Sequence, residues 1–293
     1  MTLEQLRVFV CVAECEHMTR AAQTLNLTQS ATSAAIAALE ERHGVKLFDR
    51  IGRRIALTGA GRAFFAEARA VLARAATAEQ TLADLAGLKT GALAIAASQT
   101  VGGYWLPRRI AEFHARYPGV AVALRLANTD AVAELTRAGE VDLGFVEGEV
   151  EDPALDATAI DEDELLIVAA GRARASLENL DADGLAAATW VTREKGSGTR
   201  AAFESALAAF GVDIARRHIA FELPSNEAIC AAVAAGAGLA VMSRLVVDAA
   251  IKAGDLAAAP LVLPRRRFFV LRHRQRYESQ AARAFSSMLT SAG

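Results

Sequence analysis

The sequence has few of the residue patterns that mark secreted, membrane-bound or disulfide-stabilised proteins. Its 293 residues include three cysteines, and this odd count without a regular spacing argues against a disulfide framework. We interpret Cys11, Cys15 and Cys230 as small buried side chains in preference to a redox pair. No apolar run is long enough to cross a bilayer and no signal-peptide pattern is found, so we expect a cytoplasmic protein without a membrane partner.

Motifs for catalysis and metal binding are also missing. The five histidines are scattered, and no His, Cys and Asp set has the spacing of a metal site. No nucleophile elbow or pair of carboxylates stands out, so we expect neither an enzyme nor a cofactor.

The positive charge of the chain is local. The composition is that of a globular protein, with 53% hydrophobic and 23% charged residues, and the length suits two or three domains. A net charge of −2 excludes no nucleic-acid partner, because a small basic module can be masked by an acidic remainder. Five cations stand against the single anion Asp49 in one short segment, namely Arg42, Lys46, Arg50, Arg53 and Arg54.

Residues 18–58 have the pattern of a winged helix-turn-helix. We predict a first helix over Leu3–Cys15 and a second over Thr19–Leu25 with Thr19 as its N-cap. Thr28 caps a third helix that begins at Gln29 and ends at Gly44. The predicted core side of this helix consists of Ala31, Ile36 and Leu39. A basic hairpin follows, anchored inside by Val45, Leu47, Phe48, Ile51, Ile55 and Leu57.

Polar residues at the start of the third helix and arginines on the hairpin are the candidate DNA contacts. A recognition helix enters the major groove with its N-terminal residues against base edges, and hairpin arginines suit phosphates. The alternative is that these groups only cap a helix and solvate a surface. The candidate residues are Thr28, Gln29, Ser30, Thr32, Ser33, Arg50, Arg53 and Arg54.

A long Ala-rich helix is predicted from Thr58 to about Leu88, where no proline interrupts the chain. Apolar residues recur in steps of four and three, which predicts pairing of this helix with a second copy of itself. Packing against the core of the same chain is the alternative, and Phe65 and Leu72 fall beside the seam. The seam consists of Phe64, Ala68, Val71, Ala75, Ala78, Leu82 and Leu85.

After Gly91, apolar strands alternate with amphipathic helices, which predicts an α/β domain of two lobes with parallel sheets. The predicted strands are 93–97, 120–126, 141–146, 165–169, 189–192, 219–222, 239–242 and 267–273. The predicted helices are 104–117, 130–138, 199–210, 226–234, 244–253 and 275–289.

This order of parts resembles the LysR-type transcriptional regulators over essentially the whole chain. The matching residues include Phe9, Thr19-Arg20-Ala21-Ala22, Leu27-Thr28-Gln29-Ser30, Ser33, Leu39-Glu40, Gly44, Leu47-Phe48-Asp49-Arg50, Arg53-Arg54 and Leu57-Thr58. Ser30 and Ala34 depart from residues that many members carry. The resemblance implies a promoter-binding protein that pairs through its linker helix, assembles as a dimer or tetramer, and answers a small-molecule co-inducer.

The resemblance also implies the division of the chain. A DNA-binding domain covers residues 1–58, a linker helix 59–89, and an effector domain like a type 2 periplasmic binding protein 90–293. Lobe I takes residues 90–161 and 267–293, and lobe II takes 162–266. The effector half resembles most the regulators of sulfur-assimilation and carbon-fixation operons, through Ser98-Gln99-Thr100, Leu106-Pro107, Asn128-Thr129, Val146-Glu147-Gly148, Asp163-Glu164-Leu165, 193–200 and 225–229.

Polar residues at the ends of the predicted strands are the candidate effector ligands. Ligands of such sheets bind in the crevice at the carboxyl ends of strands, and helix N-termini with hydroxyls and glycines suit a small anion. The alternative is that these residues only cap helices, and that Glu147 pairs with an arginine of the other lobe. The candidates are Ser98, Thr100, Asn128, Thr129, Glu147, Arg193, Ser197, Thr199 and Asn226.

Two charged runs flank the expected crossings between the lobes. They are the acidic run 161–164 and the basic run 265–267. Mutual attraction of the two runs would tune a hinge. We favour solvated faces instead, because exposed ion pairs contribute little.

Two alternatives to a ligand-responsive regulator stay open. One is an enzyme or solute-binding protein with an incidental helical module, and the other is an architectural DNA binder with an empty cleft.

Overall fold

The structure is a computed structural model that describes residues 1–51, 54–85, 91–213 and 218–290, with backbone alone at a few positions inside these ranges. Its contacts divide the chain into two compact units, one made mainly of residues 1–82 and the other mainly of residues 83–293. Each unit has hydrophobic cores of its own.

The first unit begins with three helices, α1 (Leu3–Cys15), α2 (Met18–Thr24) and α3 (Gln29–His43). The bounds predicted for α1 are confirmed, and so is Thr28 as the cap of α3, since its hydroxyl accepts from the N–H of Ala31 at 3.2 Å. The predicted N-cap Thr19 is wrong. His17 caps α2 instead, because its Nδ1 accepts from the N–H of Thr19 at 3.2 Å and the helix begins at Met18.

A two-stranded antiparallel wing follows, made of β1 (Phe48–Ile51) and β2 (Arg54–Leu57). Leu47 and Ile55 are buried as predicted, whereas Val45 is 41% exposed and does not anchor the wing. The turn at Gly44 already satisfies the backbone there, since the N–H of Val45 donates to the carbonyl of Glu40.

Glu40 joins α3 to the wing. This buried carboxylate accepts from Lys46 Nζ at 2.6 Å and from the N–H of Leu47 and Phe48 at 2.8 and 3.2 Å. Burial by itself would raise the pKa of Glu40, but the hydrogen bonds from Lys46 and the two amides outweigh it and hold the pKa below its ordinary value. The ionised carboxylate therefore fixes the position of β1 on the end of α3.

The long helix α4 (Gly59–Leu85) does not present its predicted seam along its full length. Ala68 is buried in the core of the first unit, and Phe64 packs against that core with its ring 4.9 Å from Phe9. These two residues are therefore corrected from pairing to internal packing. Val71 and Leu82 are 41% and 70% exposed, whereas the side chain of Leu85 lies outside the described residues.

The second unit contains a five-stranded sheet made of β3 (Gly91–Ser98), β4 (Val120–Ala127), β5 (Leu143–Glu147), β6 (Leu155–Asp163) and β12 (Arg266–His273). Across the sheet, the order of the strands is β4-β3-β5-β12-β6. A short π-helical turn (Val101–Trp105) leads into α5 (Leu106–Arg116), and α6 (Thr129–Ala138) and α12 (Gln280–Thr290) also belong to this lobe. Aromatic residues of α5, β5 and α12 meet in its core, which includes Phe113, Phe145 and Phe285.

The other lobe has two groups of strands. β7 (Leu165–Ala170) lies between β10 (Ala240–Ser243) and β11 (Leu256–Ala258), and β8 (Thr189–Arg193) pairs with β9 (His218–Leu223). The two groups meet where Trp190 bridges Leu239. The helices of this lobe are α7 (Arg174–Leu177), α8 (Ala182–Ala187), α9 (Gly198–Ala209), α10 (Asn226–Ala235) and α11 (Arg244–Ala253).

The prediction of purely parallel sheets is wrong, because the larger sheets include antiparallel pairs. β3 pairs in parallel with β4 and β5, but β12 is antiparallel to both β5 and β6, and β10 and β11 are antiparallel to β7. β6 was not predicted, because its exposed face carries acidic residues. The chain passes from β6 to β7 at residue 164 and enters β12 at Arg266, so these two points join the lobes.

Candidate functional site

The start of α3 presents three of the predicted DNA-contacting residues to solvent. Thr28, Gln29 and Ser30 are exposed and Ser33 is half-buried. Thr28 Oγ1 lies 3.0 Å from Ser30 Oγ, and Gln29 Nε2 donates to Ser33 Oγ at 3.0 Å. The four side chains therefore form one polar surface over the first turn of the helix, suited to base edges and phosphates.

Thr32 does not belong to this surface. It is fully buried, and its hydroxyl donates to the carbonyl of Thr28 at 3.1 Å. Ala31, which we predicted on the core side, is exposed. The prediction placed the helix face wrongly because a small residue and a threonine are both compatible with a tight helix contact. Of the wing arginines, Arg53 lies outside the described residues, and Arg50 and Arg54 are described by their backbone in β1 and β2.

The candidate effector residues converge on the crevice between the two lobes of the second unit. Ser98 and Glu147 end β3 and β5, Thr129 begins α6, and Ser197 caps α9. Eight of the nine candidates are buried, and Asn128 is half-buried. Asn128 caps α6, because its Oδ1 accepts from the N–H of Ala131 at 3.0 Å. The buried candidates are Ser98, Thr100, Thr129, Glu147, Arg193, Ser197, Thr199 and Asn226.

Hydroxyls and an amide form a network across the cleft. Thr199 Oγ1 donates to Glu147 Oε1 at 3.3 Å and lies 3.5 Å from Thr100 Oγ1. Asn226 Nδ2 donates to Thr100 Oγ1 at 3.2 Å. Because Thr100 and Glu147 belong to the first lobe and the other two to the second, these bonds hold the lobes together.

The N-termini of α9 and α10 are also capped from the opposite lobe. The N–H of Gly198 donates to Thr129 Oγ1 at 3.1 Å, and the N–H of Asn226 donates to Gln99 Oε1 at 3.1 Å. A Cβ at Gly198 would stand 2.4 Å from the carbonyl oxygen of Glu147, so the approach of α9 to β5 requires glycine at this position. The cleft is therefore closed, and the starts of both helices face a hydroxyl or amide oxygen of the opposite lobe.

Arg193 serves as a support and not as a free cation. Its Nε and one terminal nitrogen donate to the two carboxylate oxygens of Glu194, both at 2.8 Å, and the other terminal nitrogen donates to Asn226 Oδ1 at 3.2 Å. Burial alone would raise the pKa of Glu194, but the bonds from Arg193 hold it below its ordinary value. Arg193 thus orients the Asn226 amide toward Thr100.

The charged runs are solvated as predicted except for one residue of each run, since Asp163 and Arg266 are buried and the other five residues are exposed. Arg266 is 8% exposed, and its Nε donates to Asp163 Oδ2 at 2.7 Å. One terminal nitrogen lies 3.6 Å from Glu147 Oε1, and the terminal nitrogens donate to the hydroxyls of Thr199 and Thr100 at 3.4 and 3.5 Å. Pairing of β6 with β12 places Arg266 directly opposite Asp163.

Asp163 also accepts from Ser243 Oγ at 2.7 Å. Burial nevertheless raises the pKa of Asp163 above its ordinary value, although Arg266 and Ser243 act in the opposite direction. Both lobe crossings therefore end in one buried ionic cluster. A sequence signal for it existed, since each run stands at a predicted crossing. The attraction between the runs is found in the pair of Arg266 and Asp163, and its tuning of a hinge stays a prediction.

Two oxygens at the cleft are buried without a hydrogen-bond partner in the described part of the chain, Ser98 Oγ and Glu147 Oε2. Within the described residues, no three His, Cys, Asp or Glu side chains are grouped as metal ligands. The helices of the described ranges include none with the length and apolar character of a membrane span. The polar groups described at the cleft include hydroxyls, the amides of Gln99 and Asn226, two helix N-termini, the guanidinium groups of Arg193 and Arg266, and carboxylates.

Comparisons with known proteins match both halves of the chain. The model for the bacterial regulatory helix-turn-helix protein of the lysR family matches residues 3–62, and the LysR substrate binding domain matches residues 64–293. The uncharacterised HTH-type transcriptional regulator YeiE of Escherichia coli strain K12 is 36% identical over 287 residues, which are 97% of this chain and 96% of that protein.

A second relative is the RuBisCO operon transcriptional regulator of Allochromatium vinosum, 33% identical over 299 residues, with 99% of this chain and 96% of that protein covered. Among solved structures, the regulatory domain of CcmR from Synechocystis PCC6803 in complex with 2-PG has a TM-score of 0.62 at 28% identity. It covers 69% of this chain and 97% of that one. The family models and relatives are those of transcriptional regulators and not of enzymes.

Proposed function

The chain belongs to the LysR family of DNA-binding transcriptional regulators, and we propose that a small anion bound between its effector lobes modulates its binding to promoter DNA. Promoter DNA as the target implies action in the cytoplasm. The effector enters when the hydrogen bonds between the lobes open. The lobes then close again on the bound effector, which takes the place of some of these bonds, so their relative arrangement differs from that of the free protein. A ligand shifts this equilibrium only by its differential affinity for the two arrangements.

The observation that carries the proposal is the polar contact surface between the lobes. Apolar side chains dominate the cores on either side, whereas the contact itself includes the polar side chains of Thr100, Thr199, Asn226 and Glu147. Such a surface costs desolvation in the closed state and can open to water without exposing a core. The relative CcmR binds 2-PG in its regulatory domain, which supports a small ligand in this domain.

The proposal is tested by footprinting on an operator selected from random DNA, with and without carboxylates, phosphates and sulfur oxyanions. We expect salt-dependent binding through α3 and the wing, and a changed protection pattern with at least one anion. Thr199→Val is expected to abolish that change while leaving the footprint without ligand intact, because it removes a hydroxyl of the cleft and none of the DNA surface. Protection that stays the same across the whole panel would show a constitutive DNA binder.

We also propose that two copies pair through α4 and assemble further into a tetramer. The seam is shorter than the sequence predicts, since Phe64 and Ala68 are used within the chain. The residues left for pairing are Val71, half-buried Ala75, exposed Ala78 and Leu82. The 70% exposure of Leu82 is unusual for a leucine at seam spacing, and pairing would bury it.

Leu82→Asp is expected to shift the protein from dimer to monomer in sedimentation at micromolar concentration, because a carboxylate at the seam faces its own copy. Ala76→Asp is the matched control, since residue 76 is exposed on the same helix but off the seam. Equal sedimentation of the two variants, both as dimers, would refute pairing at this position.

A further inference from the structure

We propose, resting on the function above, that Glu147 makes the cleft selective for an anion that supplies its own hydrogen-bond donor, such as hydrogen phosphate, over an anion that only accepts, such as sulfate. The proposal concerns the class of effector and the residue that selects it.

The two oxygens of Glu147 differ in their partners. Oε1 accepts from Thr199 Oγ1 at 3.3 Å and lies 3.6 Å from a nitrogen of Arg266. Oε2 is buried and has no partner among the described residues, and the residue as a whole is 2% exposed. A carboxylate accepts hydrogen bonds and, when ionised, donates none. Oε2 therefore needs a donor that the surrounding side chains do not provide.

Ser98 lies at the same edge of the sheet. Its Oγ is also buried without a partner, and it ends β3, the neighbour of β5. β3 and β5 are parallel with Ala97 opposite Phe145, so both strands deliver their last residues to one edge. The side chains of Ser98 and Glu147 follow opposite faces of the sheet, because Ala96 and Phe145 belong to different cores. The unpartnered Oε2 of Glu147 is therefore the second observation, beside the helix start, that indicates a ligand.

The N-terminus of α9 is held against Glu147. A Cβ at Gly198 would stand 2.5 Å from Cγ of Glu147 and 2.9 Å from Thr129 Oγ1, the hydroxyl that now accepts from the Gly198 N–H. An anion oxygen replacing that hydroxyl would lie beside the Glu147 side chain. The favourable helix start and the unfavourable carboxylate thus act on the same bound group.

The charges around Glu147 do not remove this conflict. Arg266 of β12 is the cation that faces it, and this guanidinium is already bonded to Asp163 of β6. From α9, the facing group is the neutral hydroxyl of Thr199. One cation therefore serves two carboxylates, and any bound anion adds a third negative group. An O–H on the anion that donates to Oε2 offsets part of this repulsion, and an anion without a hydrogen cannot do so.

The proton balance gives the discrimination. Hydrogen phosphate brings an O–H that donates to Oε2, so it binds without taking a proton from solvent. Sulfate has no O–H to donate, so it leaves Oε2 without a partner and places an accepting oxygen against the carboxylate.

The test is calorimetric titration of the full-length protein with inorganic phosphate and with sulfate, near pH 8. For the wild type, we expect phosphate to bind at least about tenfold more tightly than sulfate. Glu147→Gln places an amide donor at the site, so sulfate should bind about tenfold more tightly and phosphate about tenfold more weakly. Glu149→Gln, an exposed carboxylate two residues away, is the matched control and should leave both affinities unchanged.

The outcomes separate this inference from the function on which it rests. Equal affinities of phosphate and sulfate for the wild type would overturn the role of Glu147 and leave an anion-responsive regulator standing. The same holds if Glu147→Gln, shown to be folded by its circular dichroism, keeps the preference of the wild type. If neither anion binds to the wild type or to either variant, the small-anion effector itself is overturned together with the inference.

Discussion

Arg266→Met is expected to destabilise the second unit by about 3–5 kcal/mol near neutral pH, the range for leaving a buried charge without its partner. The methionine preserves length and apolar contact but removes the cation that faces Asp163 and Glu147. The loss is read from urea unfolding of the full chain. Arg265→Met is the matched control, because this neighbouring side chain is 68% exposed and pairs with Glu162 at 3.6 Å. Its effect should stay within about 0.5 kcal/mol.

The same prediction has a pH dependence. The pKa of Asp163 is raised in the folded protein by burial, so the stability that depends on this group is complete below its unfolded-state pKa and is lost as pH rises through the folded-state pKa. Removing Arg266 raises that pKa further. The deficit of Arg266→Met should therefore be smaller near pH 5 than near pH 7. Adding Asp163→Asn should recover part of it, whereas equal losses for Arg265→Met and Arg266→Met would show that the buried cluster is not held by charge.

The failure to predict this cluster has a physical cause. A run such as residues 161–164 alternates sides of a strand, so one face is solvated while the other turns inward. In β6, Glu162 is exposed and Asp163 is buried, and sequence composition does not separate the two. Only the pairing of β6 with β12 decides it, because that pairing places Arg266 opposite Asp163. Local composition therefore indicated a surface where strand register produced a core.

Features governed by short-range chemistry were predicted well. The bounds of α1 and α11, the caps Thr28 and Ser197, and the end of α3 at Gly44 depend on residues within one helical turn of each other. The assembly of the cleft was also predictable, since the ends of parallel strands and the starts of the following helices share one edge. The partners of the helix N-termini were not predictable, because the first N–H groups of α10 and α9 donate to Gln99 and Thr129 of the opposite lobe.

The seam of α4 shows a different limit. A heptad pattern reports that a helix face is apolar, but not which partner covers it. Phe64 and Ala68 continue the spacing of Val71 and Leu82, and yet they pack on the first unit. The covered part of the stripe is the part nearest the rings of the helix-turn-helix core, where Phe9 already gathers aromatic neighbours.

Phe9→Ala is expected to cost the first unit about 3–5 kcal/mol, the range for truncating a fully buried phenylalanine. Phe9 is 0% exposed, and its ring centroid lies 5.4 Å from that of Phe48, 4.9 Å from Phe64 and 6.5 Å from Phe65. One ring thus joins α1 to the wing and to α4, so the cavity would loosen all three. Because the chain forms two compact units, hydrogen exchange should accelerate in α1 and α3 while β3 and β5 keep their protection.

Phe9→Leu is the matched control for this change. Leucine fills most of the space and keeps the apolar contact, so its cost should be below that of alanine, at about 1–2 kcal/mol. Operator binding should follow stability, so Phe9→Ala should lose binding at a lower urea concentration than Phe9→Leu. This effect is indirect, because residue 9 is buried in α1 and does not belong to the polar surface of α3. If Phe9→Ala lost less than about 1 kcal/mol, the aromatic contacts would not be what fixes α4 to the DNA-binding unit. The linker would then be free to move independently of α3, and a closed cleft would have no rigid connection through which to reposition the recognition helix.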